Sequence, residues 1–305
     1  MYAPLVLFVY KRADKLERCL KALEDNYEVE NTDLYIFCDG PKSDVDIPSV
    51  QEVRKLVLSY SKMTKFKKVN IIESEQNRGL ANSIINGVSE VVKKYGKVIV
   101  LEDDLLVKPN FLRYMNCALD FYEKYQQIGS ISAYTLPLKE LKNYNRDVYM
   151  IRKRECWGWG TWANRWNIVD WQVKDFQDYL KDKKKRKEFE KLQNGIDKML
   201  VAQMEGKIDS WAVRWCYHLF ENKLLTVYPK KSTVINIGMD GSGTHFTKNS
   251  NLQYSGKTTE EEVETIWEFD ITDVDLKLEK KVSVFERNED IKLKIKRLIR
   301  RKLSK

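Results

Sequence analysis

The feature that most constrains this chain is an apolar run, Val98-Ile99-Val100-Leu101, that ends abruptly in Glu102-Asp103-Asp104. Four successive β-branched or leucine side chains predict a strand covered on both faces, as in the interior of a parallel sheet. The acids then fall where the strand leaves the sheet, which is where α/β sheets place their ligands. Adjacent carboxylates repel one another, and removing them from water is unfavourable without a cation or a set of donors. Hard oxygen ligands with nothing soft nearby suit Mg2+ or Mn2+, which are typically held by a few carboxylates on one side and substrate phosphates on the other. A solvated acidic turn is the plainer explanation for an arbitrary acidic pair. Here three acids follow a buried strand directly and a helix start at Pro109-Asn110 comes next, which favours a site.

Strand and helix alternate through about the first hundred residues. Leu5–Val9 reads as a strand, followed by a helix with a capping pattern at Asp14 and Glu17 and apolar positions Leu16, Leu20 and Leu23. Asp33–Cys38 is a second strand closing on Asp39-Gly40-Pro41, and Ser49 with Glu52 forms a capping pair before a second helix. Residues 69–72 form a third strand, and Asn77-Arg78-Gly79 leads into a helix striped by Leu80, Ile84, Val88, Val91 and Val92. This alternation predicts an α/β fold, a mostly parallel sheet flanked by helices. Right-handed crossovers bring the carboxyl ends of the strands to one edge. That edge collects Tyr10-Lys11-Arg12, Asp39-Gly40, residues 73–78 and the acidic triplet.

Beyond a helix at 111–125 the pattern is less regular. Strands are expected at 128–133 and 148–151, then a segment with five tryptophans between Trp157 and Trp171. A charged helical region spans 174–207, a helix Trp211–Glu221, a strand-like stretch 226–234, and a Gly/Ser/Thr/Asn-rich loop 238–255. The expected organisation is a domain over 1–262, split into a regular half (1–125) and a less regular half (126–262), with an extension at 263–290 and a tail at 291–305.

At 305 residues the chain is long enough for one large domain with an appendage. Five cysteines without paired short spacing argue against a disulfide framework or a zinc cluster. No run reaches bilayer-spanning length, and the chain enters Leu5–Val9 without a basic leader, so a cytoplasmic location is expected. The net charge of +9 belongs to the tail: residues 291–305 carry eight basic groups and no acid, leaving the remainder close to neutral.

Several motifs, in order, resemble those of GT-A glycosyltransferases, with bacterial family 2-like enzymes and the inverting N-acetylglucosaminyltransferase I family as the relatives suggested. Leu101-Glu102-Asp103-Asp104-Leu105 with Pro109-Asn110-Phe111-Leu112 is similar to that family's metal-binding acidic motif and following helix. Asp209-Ser210-Trp211 with Arg214-Trp215 resembles the segment carrying the catalytic base, and Gly243-Thr244-His245-Phe246 resembles a late loop that closes on the nucleotide. The resemblance covers roughly 4–246 and implies a Rossmann-like GT-A sheet, a nucleotide-sugar donor and a hydroxyl acceptor on a glycan or lipid-linked oligosaccharide.

It also implies roles. Asp104, with Asp103 beside it, would hold Mn2+ or Mg2+ against the donor diphosphate. Glu102 and Asp103 are placed to accept from ribose or donor-sugar hydroxyls. Arg12 and Asp39 follow the strands where the family reads base and ribose, and a carboxylate accepting from a uracil N–H favours UDP. Asn77, Arg78 and Asn82 lie at a helix N-terminus suited to phosphate or ribose. Asp209 would be the general base of an inverting reaction, although the family's second acid is Ser210 here; an N-cap for the helix after it is the structural alternative. Trp157 or Trp159 would touch sugar, the other tryptophans being core. His245 is a diphosphate contact, a metal ligand or an exposed bystander, whereas His218 reads as structural.

The tail has an apolar stripe, Ile291, Ile295, Leu298, Ile299 and Leu303, opposite its cations. Such a helix suits an anionic membrane interface at the inner face of the cell membrane, where lipid-linked acceptors of bacterial surface-polysaccharide synthesis lie. A nucleic-acid arm is the competing reading, but phosphate contact needs no apolar stripe, so nucleic acid is not expected as a partner. For Lys183-Lys184-Lys185-Arg186-Lys187 a solvated helix face is expected. Two other functions share some of these features. A sugar nucleotidyltransferase should show a glycine-rich loop after the first strand, where Phe8-Val9-Tyr10-Lys11-Arg12 has none, and a non-catalytic carbohydrate-binding or membrane-associated protein leaves the acids without purpose.

Overall fold

The computed structural model describes residues 1–153, 155–238, 266–271 and 273–303, with side chains up to residue 289. The first half contains β1 (Leu5–Val9), α1 (Ala13–Glu24), β2 (Asp33–Cys38), α2 (Ile47–Tyr60), β3 (Lys68–Glu73), α3 (Leu80–Tyr95), β4 (Lys97–Glu102), β5 (Leu105–Val107) and α4 (Phe111–Tyr122). The second contains β6 (Ile128–Ser132), β7 (Val148–Ile151), β8 (Trp159–Trp162), α5 (Ala163–Trp166), α6 (Phe176–Lys181), α7 (Lys183–Glu190), α8 (Ile196–Met204), α9 (Trp211–Glu221), β9 (Leu225–Pro229), β10 (Val234–Asn236) and α10 (Leu276–Leu303).

Among the described residues the main sheet has the order β3-β2-β1-β4-β8-β6-β9-β7. The pairs β2–β3, β1–β2, β1–β4 and β6–β9 are parallel, while β8 and β7 run against their neighbours. The predicted mostly parallel α/β sheet is therefore present. Its central strands β1 and β4 are buried on both faces, with successive side chains alternating between them, whereas the edge strand β3 is only partly covered. Leu5, Leu7 and Val9 of β1 join the core that includes residues of α1, α2 and α4, whereas Val6 and Phe8 join the core with residues of α3 and α9. A third cluster, around Tyr179, Phe189 and Tyr217, unites α6, α7, α8 and α9.

The helix starts differ from the capping patterns. α2 begins at Ile47 with Pro48 in its first turn, so Ser49 and Glu52 lie inside it; proline's fixed φ suits that first turn. α1 begins at Ala13, which puts Asp14 in its first turn rather than at its cap. The charged region 174–207 is broken into three short helices, and Asp182 caps α7 by accepting from the Lys184 and Lys185 amides at 3.0 and 2.9 Å. Within the basic run, Lys185 pairs with Asp175 and Glu221 and Arg186 with Asp197, so part of it serves packing rather than solvation. The stretch 226–234 divides after Pro229 into β9 and β10.

The tryptophan segment is largely core. β8 inserts antiparallel between β4 and β6, sending Trp159 to one face and Trp162 to the other. Trp159 is 1% exposed, stacks on Trp211 at 5.0 Å and contacts Trp166 and Trp215. The expectation that Trp159 touches sugar is corrected here: no face of its ring is left open.

The C-terminal segment is tied to the body of the fold. Trp267 packs edge-on against Tyr114 at 5.3 Å, the Tyr122 hydroxyl donates to the Asp270 carbonyl at 2.8 Å, and Leu278 and Val282 of α10 complete the larger core. Lys153 and Glu286 form an ion pair with side chains only 6% and 12% exposed. Removing one partner of such a pair leaves a buried charge, a loss of about 3–5 kcal/mol. Lys153→Met should therefore lower the unfolding free energy by about 3 kcal/mol in urea denaturation, and adding Glu286→Leu should restore most of it.

Candidate active site

The rim forms where β1, β2 and β4 end side by side. Phe8 is paired with Glu102 across β1 and β4, and the Asp39 amide donates to the Val9 carbonyl at 3.1 Å. Arg12, three residues beyond β1, stands at the N-cap position of α1 and spans the acid pair. One terminal nitrogen donates to Asp104 Oδ2 at 2.9 Å and the other to Asp103 Oδ1. At the strand end where a base or ribose contact is expected, the fork of Arg12 is engaged by the acids.

Burial dominates the electrostatics. Asp103 is 3% exposed, and that desolvation pushes its carboxyl up to about 6, against the opposing pull of Arg12 and with a further push from Asp104. Burial alone would lower the Arg12 pKa, but the two carboxylates outweigh it and hold the guanidinium above its ordinary range. The fork thus binds two acids whose shared burial would otherwise be strongly unfavourable.

Asp104 is bounded on its other side by a second strand pair. β5 follows the acids immediately and pairs antiparallel with β10, setting Asn236 opposite Leu105. The chain then continues past Asp104: the Ile237 amide donates to the Asp104 carbonyl at 2.9 Å, and the Gly238 amide donates to Asn236 Oδ1 at 2.8 Å. A Cβ at residue 238 would lie 2.1 Å from Asp104 Oδ2, so only glycine lets the backbone pass. Nothing in the sequence distinguishes Gly238 from the other glycines of its loop-like stretch.

Asp39 organises the neighbouring subsite. Its Oδ1 accepts from the Gly40 and Arg78 amides at 2.9 and 2.8 Å, and its Oδ2 accepts from Asn77 Nδ2 at 3.1 Å. Asn77 also donates to the Gly40 carbonyl at 2.9 Å. Arg78 reaches Ser74 Oγ at 2.9 Å, while Asn82 donates to the Arg78 carbonyl at 3.0 Å within the helix start. Asp39, Asn77 and Arg78 are therefore brought together, and Asn82 supports the turn beside them.

Asp209 arrives at the same helix end from far along the chain. Gly79 enters α3 with φ +75°, and a Cβ there would sit 2.8 Å from Asp209 Oδ2. That oxygen accepts from the Ala81 amide at 3.4 Å. The cap of α9 is Ser210, whose hydroxyl accepts from the Val213 amide at 3.3 Å. The capping alternative for Asp209 is thus taken by its neighbour, and the carboxylate faces the start of α3 instead.

The remaining candidates are distributed unevenly. Glu102 ends β4 and is half-buried. Trp157 is half-buried and meets Tyr134 edge-on at 4.6 Å. His245 lies outside the described residues. His218 stacks on Trp215, and burial pushes its pKa down to about 4, so it is a neutral packing residue at physiological pH.

Among the described residues no three His, Cys, Asp or Glu side chains converge as a ligand set. The acid motif nevertheless fits a hard divalent ion. A single guanidinium faces Asp103 and Asp104, and Glu102 is adjacent in the chain, so the three successive acids offer hard oxygen atoms at one strand end. Two carboxylates are a sufficient protein contribution for Mg2+ or Mn2+, which usually complete their shell with phosphate and water.

The family profile described as glycosyl transferase family 2 matches residues 5–189. No curated protein matches the chain in sequence. Among solved structures, the chain is similar to a mannosyltransferase from Pyrobaculum calidifontis in complex with GDP-Man and Mn2+, at 14% identity and a TM-score of 0.36, over 54% of this chain and 46% of that one. It is also similar to the galactosyltransferase LgtC in complex with donor and acceptor sugar analogues, at 11% identity and a TM-score of 0.37, over 74% and 72% of the two chains. The likeness to S. aureus TarS residues 1–349 has 12% identity and a TM-score of 0.32, over 49% and 42%. The chain thus spans less than half the length of the mannosyltransferase and of that TarS fragment.

The raised Asp103 pKa has a defined consequence for stability. The folded value of about 6 lies above the unfolded aspartate value of about 3.9, so the native state takes up the proton first. This contribution is fully present below about pH 4 and is lost as pH rises through about 6. Urea midpoints measured between these limits should show that decline in the wild type, and the difference between wild type and Asp103→Asn should follow the same titration.

Proposed function

The chain belongs to glycosyl transferase family 2, and from that premise we propose that it is a metal-dependent, inverting transferase moving a sugar from a UDP-linked donor to a hydroxyl of a glycan or lipid-linked oligosaccharide. The observation that carries this reading is the sharing of one sheet rim: the acid pair bridged by Arg12 follows β4, and Asp39 follows β2, where it meets Asn77 and Arg78 beside the start of α3, at which Asp209 also arrives.

Asp103 and Asp104 would hold Mn2+ or Mg2+, which when bound supplies Lewis-acid neutralisation of the leaving nucleoside diphosphate. Asp39 would accept from the uracil N–H or a ribose hydroxyl, its carboxylate already oriented by the Gly40 and Arg78 amides. Asn77, Arg78 and Asn82 would serve the phosphate and ribose side at the start of α3, with His245 as a further diphosphate contact. Glu102 would accept from donor-sugar hydroxyls, and Trp157 would offer an aromatic face to sugar C–H groups.

Inversion requires one base on the acceptor side. Asp209 would take the proton of the acceptor hydroxyl as that oxygen bonds to the anomeric carbon and the bond to the diphosphate breaks on the opposite face. Its carboxylate is free of helix-capping duty at α9, and the glycine at 79 leaves room for it. Proximity of base and acceptor would supply much of the acceleration.

We also propose that the sequence at 291–305 contacts an anionic membrane surface from the cytoplasmic side, near lipid-linked acceptors of bacterial surface polysaccharide. The backbone of α10 continues to Leu303, so positions 291–303 of this sequence lie on one helix. Each cation near such a surface adds about 1 kcal/mol. Among the described residues no helix is long and apolar enough to cross a membrane.

Thermal unfolding with ligands tests the reading. UDP with Mn2+, at about a hundredfold excess over its dissociation constant, should stabilise the native state by about 2.7 kcal/mol, and Asp104→Ala should remove the effect. Asp209→Asn should keep that stabilisation and lose transfer by about 100-fold or more; transfer at the wild-type rate would exclude Asp209 as the base. A screen of nucleotide sugars for Mn2+-dependent hydrolysis then identifies the donor.

A further inference from the structure

We propose that Arg12 is a resident counter-cation that occupies the acid pair before the metal arrives, so that divalent-ion binding requires it to release Asp104 and re-pair with an anion such as the donor diphosphate. The inference rests on the metal-dependent reading given above and adds a regulatory element to that site: the metal is admitted together with the nucleotide rather than ahead of it.

The restraints on each partner decide which one moves. Asp103 is enclosed at 3% exposure. Asp104 is held by its carbonyl to the Ile237 amide at 2.9 Å, and its carboxylate lies against Gly238, where even a Cβ would come within 2.1 Å. Asp103 is thus enclosed, and Asp104, with its side chain 15% exposed, is bounded on the Gly238 side. Arg12 has its backbone fixed at the start of α1, where its carbonyl accepts from the Leu16 amide at 3.0 Å. Its side chain is 21% exposed and ends a long flexible stem, so the guanidinium can swing while the acids stay.

Charge then sets the order of events. A guanidinium donating to both carboxylates satisfies them and repels an approaching divalent ion. An anion that draws Arg12 away removes that competition and supplies oxygen ligands to the ion. Metal and diphosphate therefore reinforce one another, and the coupling is reciprocal by linkage. The planar fork is what allows one side chain to hold two acids; a lysine is a single point charge and holds them less completely.

The test is titration of the full-length chain with Mn2+ alone, followed by the electron paramagnetic resonance signal of the free ion, and then with UDP added. Without nucleotide, Arg12→Gln should bind Mn2+ about tenfold more tightly than wild type, Arg12→Lys should fall between them, and Asp104→Asn should bind none at this site. UDP should tighten Mn2+ binding by a larger factor in wild type than in Arg12→Gln. If Arg12→Gln binds Mn2+ no more tightly than wild type while Asp104→Asn abolishes binding, the counter-cation role is overturned and the metal-dependent reading stands. If Asp104→Asn binds Mn2+ as wild type does, with or without UDP, both fall. Should Arg12→Gln fail to fold because Asp103 is left unpaired, Arg12→Lys carries the test: Mn2+ alone should raise its Tm more than that of wild type, and an equal or smaller rise would overturn the proposal.

Discussion

The contact on which the candidate site depends is the fork of Arg12 across Asp103 and Asp104. It joins the end of β1 to the end of β4, adjacent strands whose residues lie more than ninety positions apart in sequence. Without it the buried Asp103 would lie beside the half-buried Asp104 with no guanidinium between them, an arrangement that proteins otherwise relieve by protonation or by structural opening. With it, both acids are hydrogen-bonded to one guanidinium, and the sheet can end in a charged edge rather than a polar turn.

Glycine plays a matching part on the backbone side. At Gly238 the main chain crosses Asp104, and at Gly79 it makes room for Asp209; in each place a side chain would displace a carboxylate. The two acids are therefore shaped by what is absent beside them as much as by their hydrogen bonds. The less regular half serves the same end. Its tryptophans build the layer beneath α9, and that layer holds Asp209 at the start of α3.

Much of the architecture was legible in the sequence because burial leaves a periodic trace. The runs of β1, β2 and β4 and the stripe of α3 are patterns that few other folds produce. The acidic triplet and Asp39 were legible for the same reason, since they follow buried strands directly. Trp159 was misread because an indole in a core and an indole against a sugar have the same sequence signature; only its stacking on Trp211 separates them. The Ser49 and Glu52 capping pair was overridden by Pro48, which starts α2 earlier.

What the sequence by itself determined was the class of fold, the edge at which charge collects, and the identity of the acids there, because hydrophobic periodicity and strand-end chemistry are local properties. Tertiary structure alone decided who partners whom. Arg12 was set across the acid pair, Ser210 rather than Asp209 capped α9, and Gly238 became indispensable. Those outcomes depend on distances between residues remote in the chain, and such distances exist only once the sheet has closed and its loops have been brought against one another.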